Sequence, residues 1–472
     1  MAKSETATTL NKPKQSSKDR ALLAVGIIAY IAFYQWSYIH YLYPFFQYFG
    51  YDYNQPSTSQ LILAWGLSLL PCLWIPMNLT RPSQLAYWVL YLTVIIPSMF
   101  IPLYAGLDQP AEIIVLMLTL FAGFSITGLS YLLPLLSIPP AGISRRLFWR
   151  GLGCLTLVLT AWVVVAFRQH LRIVSFLDVY DLRGFAEDLL DGSQVNYALM
   201  WLSGAINPFL MGLGLYRRRA SLFAAGALGQ LLVYSGLGTK GSILSIVFIT
   251  GLYFLSKRSR IPFALKLTWG CAALLGGLCF SFFLARENPG PLHSLVLFVV
   301  LMRTFGINGL MTAQYYDFFQ RHPLTYYSHI KGVSMFVHYP YVNPLGIEVG
   351  SYYSGDVGLD STAHFWATDG LAGLGLSGVL LISVFCAFIF WIVDSAAQKH
   401  DARLSALVIC YAAFNLSNIS IFTSLLSGGL GLLVVLLHLM PLEHSAVSVV
   451  PAAFATAPSS ILGNTEPFRG TL

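Results

Sequence analysis

From residue 21 to residue 441 the chain is a succession of apolar stretches. They are separated by short polar, glycine-rich or proline-rich breaks. Crossing about 30 Å of hydrocarbon takes roughly 20 apolar residues as helix. Runs of that character lie near 21–39, 59–78, 85–105, 112–137, 149–167, 195–216, 220–237, 241–256, 262–285, 364–392, 404–421 and 424–441. In lipid every backbone N–H and C=O has to be satisfied within its own segment, so such runs are read as helices. The pattern predicts an all-α polytopic membrane protein with about 12 transmembrane helices. The break at Gly236-Leu-Gly-Thr-Lys-Gly241 reads either as a tight turn or as an interruption within a re-entrant element.

The polar positions divide the chain further. Residues 1–20 form a polar tail with no small-residue cleavage site after the first apolar run, so 21–39 is expected to be a retained span. Residues 442–472, rich in Ala, Ser, Thr and Pro, read as a disordered tail. Residues 21–441 form one transmembrane domain with two larger loops, near 168–194 and 286–363. The second loop contains apolar stretches of its own, Leu292–Phe305 and Tyr315–Phe319, which predict packed or interfacial helices in place of a linker. No inverted repeat of the transporter kind is visible.

Composition agrees with this reading and excludes others. Of 472 residues, 56% are hydrophobic and 10% charged, against roughly 25% charged in soluble proteins. So few charges cannot solvate a soluble surface, and so much apolar content is foreign to disordered chains. The six cysteines sit inside apolar runs without a CxxC pair, as small core residues do, so neither a disulfide framework nor a metal knuckle is expected.

The net charge of +7 becomes informative once the cations are sorted by side. With the N-terminus cytoplasmic, 19 of the 27 Lys and Arg fall on the inside: in the N-terminal tail, at Arg81, Arg145–Arg150, Arg217–Arg219, Lys257–Lys266, Lys399, Arg403 and Arg469. Both termini are then inside, and the basic balance is an orientation signal and no sign of nucleic-acid binding. The remaining eight, Arg168, Arg172, Arg183, Lys240, Arg286, Arg303, Arg321 and Lys331, lie on the outward side or at its edge, where topology does not call for them.

Three groups of residues could carry chemistry. Arg168 and Arg172 are four apart, on one face if the fifth span continues outward as helix, with Arg183 further along. Two guanidinium groups on one face suit a phosphate between them; alternatively they pair with Asp178, Asp181, Glu187, Asp188 and Asp191 of the same loop. Lys240 sits between Gly238 and Gly241 at a helix junction, where backbone N–H groups favour anions. It can equally be a lysine that snorkels to the interface. The third group follows Arg303: Arg321-His-Pro-Leu-Thr-Tyr-Tyr-Ser-His-Ile-Lys331, then Asp356, Asp360, His364 and Asp369. A histidine at position 364 could accept a proton near neutral pH or could be an interfacial residue in a polar cap. Aromatic residues, 14% of the chain, concentrate in Tyr30–Tyr53 and Tyr315–Tyr353, where interfacial belts account for most of them.

A twelve-span chain with these outward segments resembles the Wzy-type O-antigen polymerases, the oligosaccharide repeat-unit polymerases of bacterial inner membranes. The resemblance covers about residues 20–440. It is carried by Asp178-Val-Tyr-Asp-Leu-Arg183, Gly238-Thr-Lys-Gly241, Arg303 followed by His322-Pro-Leu-Thr, and Ser361-Thr-Ala-His-Phe-Trp366 with the glycines from Gly373 to Gly378. It implies that a glycan on undecaprenyl pyrophosphate is transferred through its anomeric carbon to a hydroxyl of the next lipid-linked repeat unit. It further implies Arg172, Arg183, Lys240 and Arg303 as pyrophosphate contacts, Arg303 being catalytic, and His364 as the base. Arg168, His322 and Asp356 are further substrate contacts. Lipid-linked oligosaccharides are the expected partners, with a chain-length regulator and a flippase beside them in the membrane. No cofactor and no metal is expected: the chain lacks a DxD motif, and its first outward loop holds only Asp52. The related O-antigen ligases, with lipid A-core as acceptor, place an outward arginine and a late histidine similarly, and a transporter of lipid-linked oligosaccharide is the reading from a different class.

Overall fold

Each of the twelve apolar runs becomes helix in the computed structural model, which describes residues 17–106, 110–172, 194–285, 290–356, 359–361 and 363–442. The helices are α1 (Ser17–Phe49), α2 (Thr58–Leu73), α3 (Ser83–Tyr104), α4 (Glu112–Leu132), α5 (Arg145–Phe167), α6 (Val195–Tyr216) and α7 (Ala220–Leu237). There follow α8 (Lys240–Leu255), α9 (Phe263–Leu284), α10 (Pro291–Arg321), α11 (Leu345–Ser354), α12 (Trp366–Ala397), α13 (Ala402–Asn415) and α14 (Ile421–Leu439). Among the described residues there is no strand. Ten of the helices are long and apolar enough to cross a membrane, and α2, α8 and α13 are apolar but shorter. The chain is therefore an all-helical protein with the build of a multi-pass membrane protein. Most of the 1–20 tail, the 173–193 part of the first large loop and the 443–472 tail lie outside the described residues.

Local sequence explains where the helices begin and break. α2 starts at a capping box: the Ser57 hydroxyl accepts from the Gln60 N–H while the Gln60 side chain accepts from the Ser57 N–H. α7 ends on Gly238 in the left-handed conformation, and α8 begins two residues later. The Gly236–Gly241 segment is thus a tight turn between two helices. α14 is two helical pieces, with Gly429 in the left-handed region between them.

Two ends of the bundle can be told apart from contacts. At one end the Arg20 guanidinium donates to the carbonyls of Cys72 and Ile75, and the Ala264 N–H donates to Met77 O. Arg81, Lys257, Arg258 and Lys266 lie at that basic end. The other end carries the turn after α1, with Asp52, and the end of α3, where the Asn54 N–H donates to Tyr104 O.

α10 departs most from the sequence pattern. The two apolar stretches expected as separate pieces of a loop are one helix of 31 residues, wound as π-helix over Phe298–Gly306. Its first turns sit beside the C-terminal end of α9, where His293 Nε2 meets Ser281 Oγ at 3.0 Å. Its last turns return to Asp52 and Gly106. Between them it dips to the middle of the bundle: Phe305 packs edge-on against Tyr30, and Asn308 Nδ2 donates to Thr93 O at 2.9 Å. Both ends of α10 therefore lie at the Asp52 end. A Cβ on Gly309 would stand 2.6 Å from Pro97 O, so the absent side chain is what allows α10 and α3 to touch.

The tyrosines also depart from the expected belt. Tyr30, Tyr38, Tyr51 and Tyr315 are essentially unexposed and point into the bundle. For three of them the cause is visible in the partners: Tyr30 donates to Leu92 O, Tyr38 to Asp52 O and Tyr315 to Ser361 O, so these hydroxyls find a carbonyl without reaching water.

Candidate functional site

The cations that topology left unexplained do not all meet, but two of them share a ring and the backbone of a third passes near at the Asp52 end. The Lys240 ammonium lies 5.8 Å and the Arg303 guanidinium 5.5 Å from the centre of the same ring, Phe298. The two charges are thus no farther apart than the sum of those distances. Arg172 joins them through the backbone. After α5 the chain turns back over the end of α7, where the Arg172 N–H donates to Ser235 O at 3.1 Å, five residues before Lys240. Arg172 and Arg303 are exposed, and Lys240 is half-buried at the first turn of α8. Arg168, one turn before Arg172, is also exposed. Arg183 lies outside the described residues. The Thr239 hydroxyl bonds Ser242 Oγ and does not cap α8, and the Ser242 N–H donates to Thr239 O.

Beside this group a cavity of about 470 Å³ opens between the α1–α2 turn, the end of α3, α10 and α11. Gln47, Tyr51, Asp52, Gln314, Asp317, Arg321 and Tyr353 supply its polar wall, and Ala105, Leu310 and Ala313 its apolar wall. Two glycines shape the rim. Gly50 (φ +97°) and Gly106 (φ +66°) both occupy the left-handed region, and a Cβ on Gly50 would lie 2.8 Å from the Gln314 amide nitrogen. Asp317 is fixed from two sides, by Arg321 Nη2 at 2.9 Å and by the Tyr353 hydroxyl at 2.6 Å. Burial, and then the hydrogen bond to Asp317, push the Tyr353 phenol well above its ordinary pKa. Tyr51 connects cavity and cations. Burial raises its phenol while the positive charge of Arg303 acts in the opposite sense, which places that guanidinium in its neighbourhood.

The other residues singled out by sequence sit elsewhere. His364 is fully buried, with Nε2 2.7 Å from Thr312 Oγ1, which in turn lies 2.8 Å from Ser98 Oγ. Thr312 is nine residues beyond Arg303 on α10, on the order of 13 Å of helical rise. Arg303 and His364 are therefore carried by one helix but at different levels. His322 stacks on Phe318 at 4.0 Å and packs edge-on against Tyr352. Asp356 is exposed just past the end of α11. Among the described residues, no group of three or more His, Cys, Asp or Glu is arranged to hold a metal ion.

Asp369, His329 and Thr325, named from the sequence only as members of the third group, form a further polar network with Ser420 and Ile421, which the sequence did not single out. Asp369, with no exposed surface, accepts from Ser420 Oγ at 2.7 Å and from the Ile421 N–H at 2.8 Å, and lies 3.2 Å from His329 Nε2. The other ring nitrogen of His329 meets Thr325 Oγ1 at 2.9 Å. This chain ties the turn after α10 to the start of α12 and to the start of α14. The following Tyr326 and Tyr327 are held at positive φ (47° and 63°). The available signal was an acidic residue inside an apolar run, which in a membrane segment calls for a partner.

No family model, curated protein or solved structure matches the chain.

Proposed function

We propose that this chain is a lipid-linked oligosaccharide repeat-unit polymerase of the Wzy type, a glycosyltransferase of the bacterial inner membrane. In this reading the bundle crosses the membrane about twelve times with both termini cytoplasmic. The basic end faces the cytoplasm, as the excess of Lys and Arg there favours. The segments 168–194 and 286–363 belong to the outer face, and α10 is a re-entrant or interfacial helix of the second one.

The observation that carries the proposal is the meeting of Lys240 and Arg303 on Phe298, with Arg172 close by, at the end opposite the basic one. Three cations in a protein otherwise so poor in charge serve a pyrophosphate well. The bond from the anomeric carbon to the pyrophosphate oxygen breaks, and both electrons leave with undecaprenyl pyrophosphate. The acceptor hydroxyl oxygen bonds to that carbon and gives up its proton to a base. Negative charge then grows on the leaving oxygens, and pre-positioned cations in a site partly screened from water stabilise it without reorganisation. Arg183, from its place in the sequence, would join them. His364 would reach the acceptor hydroxyl as base only after the packing between α10 and the start of α12 opens.

The test is genetic and biochemical together. Deleting the gene should leave surface glycan with one repeat unit and no long chains. Loss of even the single unit would indicate a ligase or a flippase and sink the polymerase reading. Arg303→Ala should abolish polymer while the protein remains in the membrane; normal chain length in that strain would remove Arg303 from the site. Purified protein should extend lipid-pyrophosphate repeat units in the presence of EDTA, and a requirement for Mg²⁺ would overturn metal-independent transfer.

A further inference from the structure

The cavity and the cations next to it differ in chemistry, and that difference is informative. Two carboxyl groups, Asp52 and Asp317, stand in the cavity wall against one guanidinium, Arg321, which Asp317 already engages. Such a lining repels phosphate, so the cavity does not extend the anion site. It nevertheless offers several directional partners. The Tyr51 hydroxyl is buried and has no hydrogen-bond partner among the described residues. Gln314, 6% exposed, spends its amide N–H on Phe49 O, and its Oε1 has no bonded partner among them. A polar atom without a partner is costly, and a ligand that hydrogen-bonds it lifts that penalty. Ala105, Leu310 and Ala313 add apolar surface to the lining.

A pyranose ring fits that combination: its hydroxyls both donate and accept, and its C–H face is apolar. The volume of about 470 Å³ falls in the ordinary range for small-molecule sites, roughly 300–1,000 Å³. We propose that this cavity binds a neutral sugar residue of the substrate glycan, with Asp52 and Gln314 accepting from its hydroxyls and Tyr51 holding it next to Arg303. The assignment of the sugar to a lipid-linked substrate rests on the polymerase reading, whereas the cavity's preference for a neutral polyhydroxyl ligand rests on its lining.

The test uses the full chain in nanodiscs and saturation-transfer NMR with glucose, galactose, mannose, N-acetylglucosamine and lactose as probes. Inorganic pyrophosphate is measured separately as the probe of the cation group. At least one sugar should receive saturation. Ala105→Trp, which fills the cavity from a half-buried turn, should abolish that transfer. Asp52→Asn, at an exposed position, should weaken the sugar at least tenfold, and both variants should bind pyrophosphate as the parent does. Arg303→Ala should lose pyrophosphate and keep the sugar. Absence of transfer to every sugar, or transfer unchanged in Ala105→Trp or in Asp52→Asn, overturns the sugar site. Sugar binding of this kind without any pyrophosphate binding leaves the cavity assignment standing and removes the polymerase reading.

Discussion

Asp369→Ala removes one carboxyl group and with it the acceptor of three separate groups: the Ser420 hydroxyl, the Ile421 backbone N–H and the His329 ring. Asp369 itself has no solvent exposure and the Ile421 N–H contact is buried, so water does not replace that acceptor, whereas the part-buried Ser420 and His329 recover some of theirs. Each stranded donor costs about 1–3 kcal/mol, and some of it is recovered when side chains rotate away. A net loss of about 3–5 kcal/mol is expected, the range seen when one member of a buried polar pair is deleted. Asp369→Asn keeps one carbonyl acceptor and the shape, so its cost should be about 1–2 kcal/mol. The readout is the thermal midpoint of the purified protein in detergent, followed by intrinsic fluorescence. In domains of 150–250 residues a kcal/mol moves the midpoint by about 2–4 °C, and in this larger chain a drop of at least about 5 °C is expected for alanine. A double variant with His329→Ala should cost much less than the sum of the singles, because the two side chains share one interaction. An unchanged midpoint in Asp369→Ala, or strict additivity with His329→Ala, would falsify the reasoning that this network fastens α10, α12 and α14 together.

Further outcomes follow from other contacts. Asp394→Ala strands the N–H and hydroxyl of Ser83, which it accepts at 2.9 and 2.8 Å; a loss of about 2–3 kcal/mol is expected by the same midpoint measurement, and a neutral outcome would show that the basic end of α12 is held otherwise. Gly309→Ala forces a methyl against Pro97 O and should destabilise by about 1–3 kcal/mol, with Gly309→Leu lowering the yield of folded protein; a tolerated leucine would contradict the close crossing of α10 and α3. His364→Ala opens a space in a buried network and should lower the midpoint and, by removing the proposed base, the polymer formed per folded molecule; polymer retained per folded molecule would remove His364 from the chemistry. Tyr326→Cys, at an exposed position of the segment proposed to face outward, should react with an impermeant maleimide in intact spheroplasts, and Arg258→Cys, at the basic end, only after permeabilisation. The reverse pattern would invert the topology.

Sequence and tertiary structure contributed different things to this picture. Helical class and the positions of the helices were legible because burial in lipid demands about twenty apolar residues in a row, a local property of the chain. The Gly238 break was legible for a similar reason, since a left-handed residue between two apolar runs ends one helix and permits another to start. The stranded cations were visible as a set, because a sidedness rule for Lys and Arg can be applied by counting. Which of them meet was not visible: Lys240 and Arg303 are far apart in sequence and come together only because the tertiary fold brings the start of α8 to the ring of Phe298 on α10. The single helix of α10 was read as pieces of a loop because its polar second half, Ile307–Arg321, looks like surface until Asn308 and Thr312 find partners on α3 and at His364. The inward-facing tyrosines hid for the same reason, as their distant carbonyl partners carry no local signature. The cavity is the extreme case, with walls drawn from four separate elements and a rim set by two left-handed glycines. Hydrophobicity acts residue by residue and can be read along the chain, whereas hydrogen-bond satisfaction and cavity shape depend on groups that only the folded bundle brings within reach of each other.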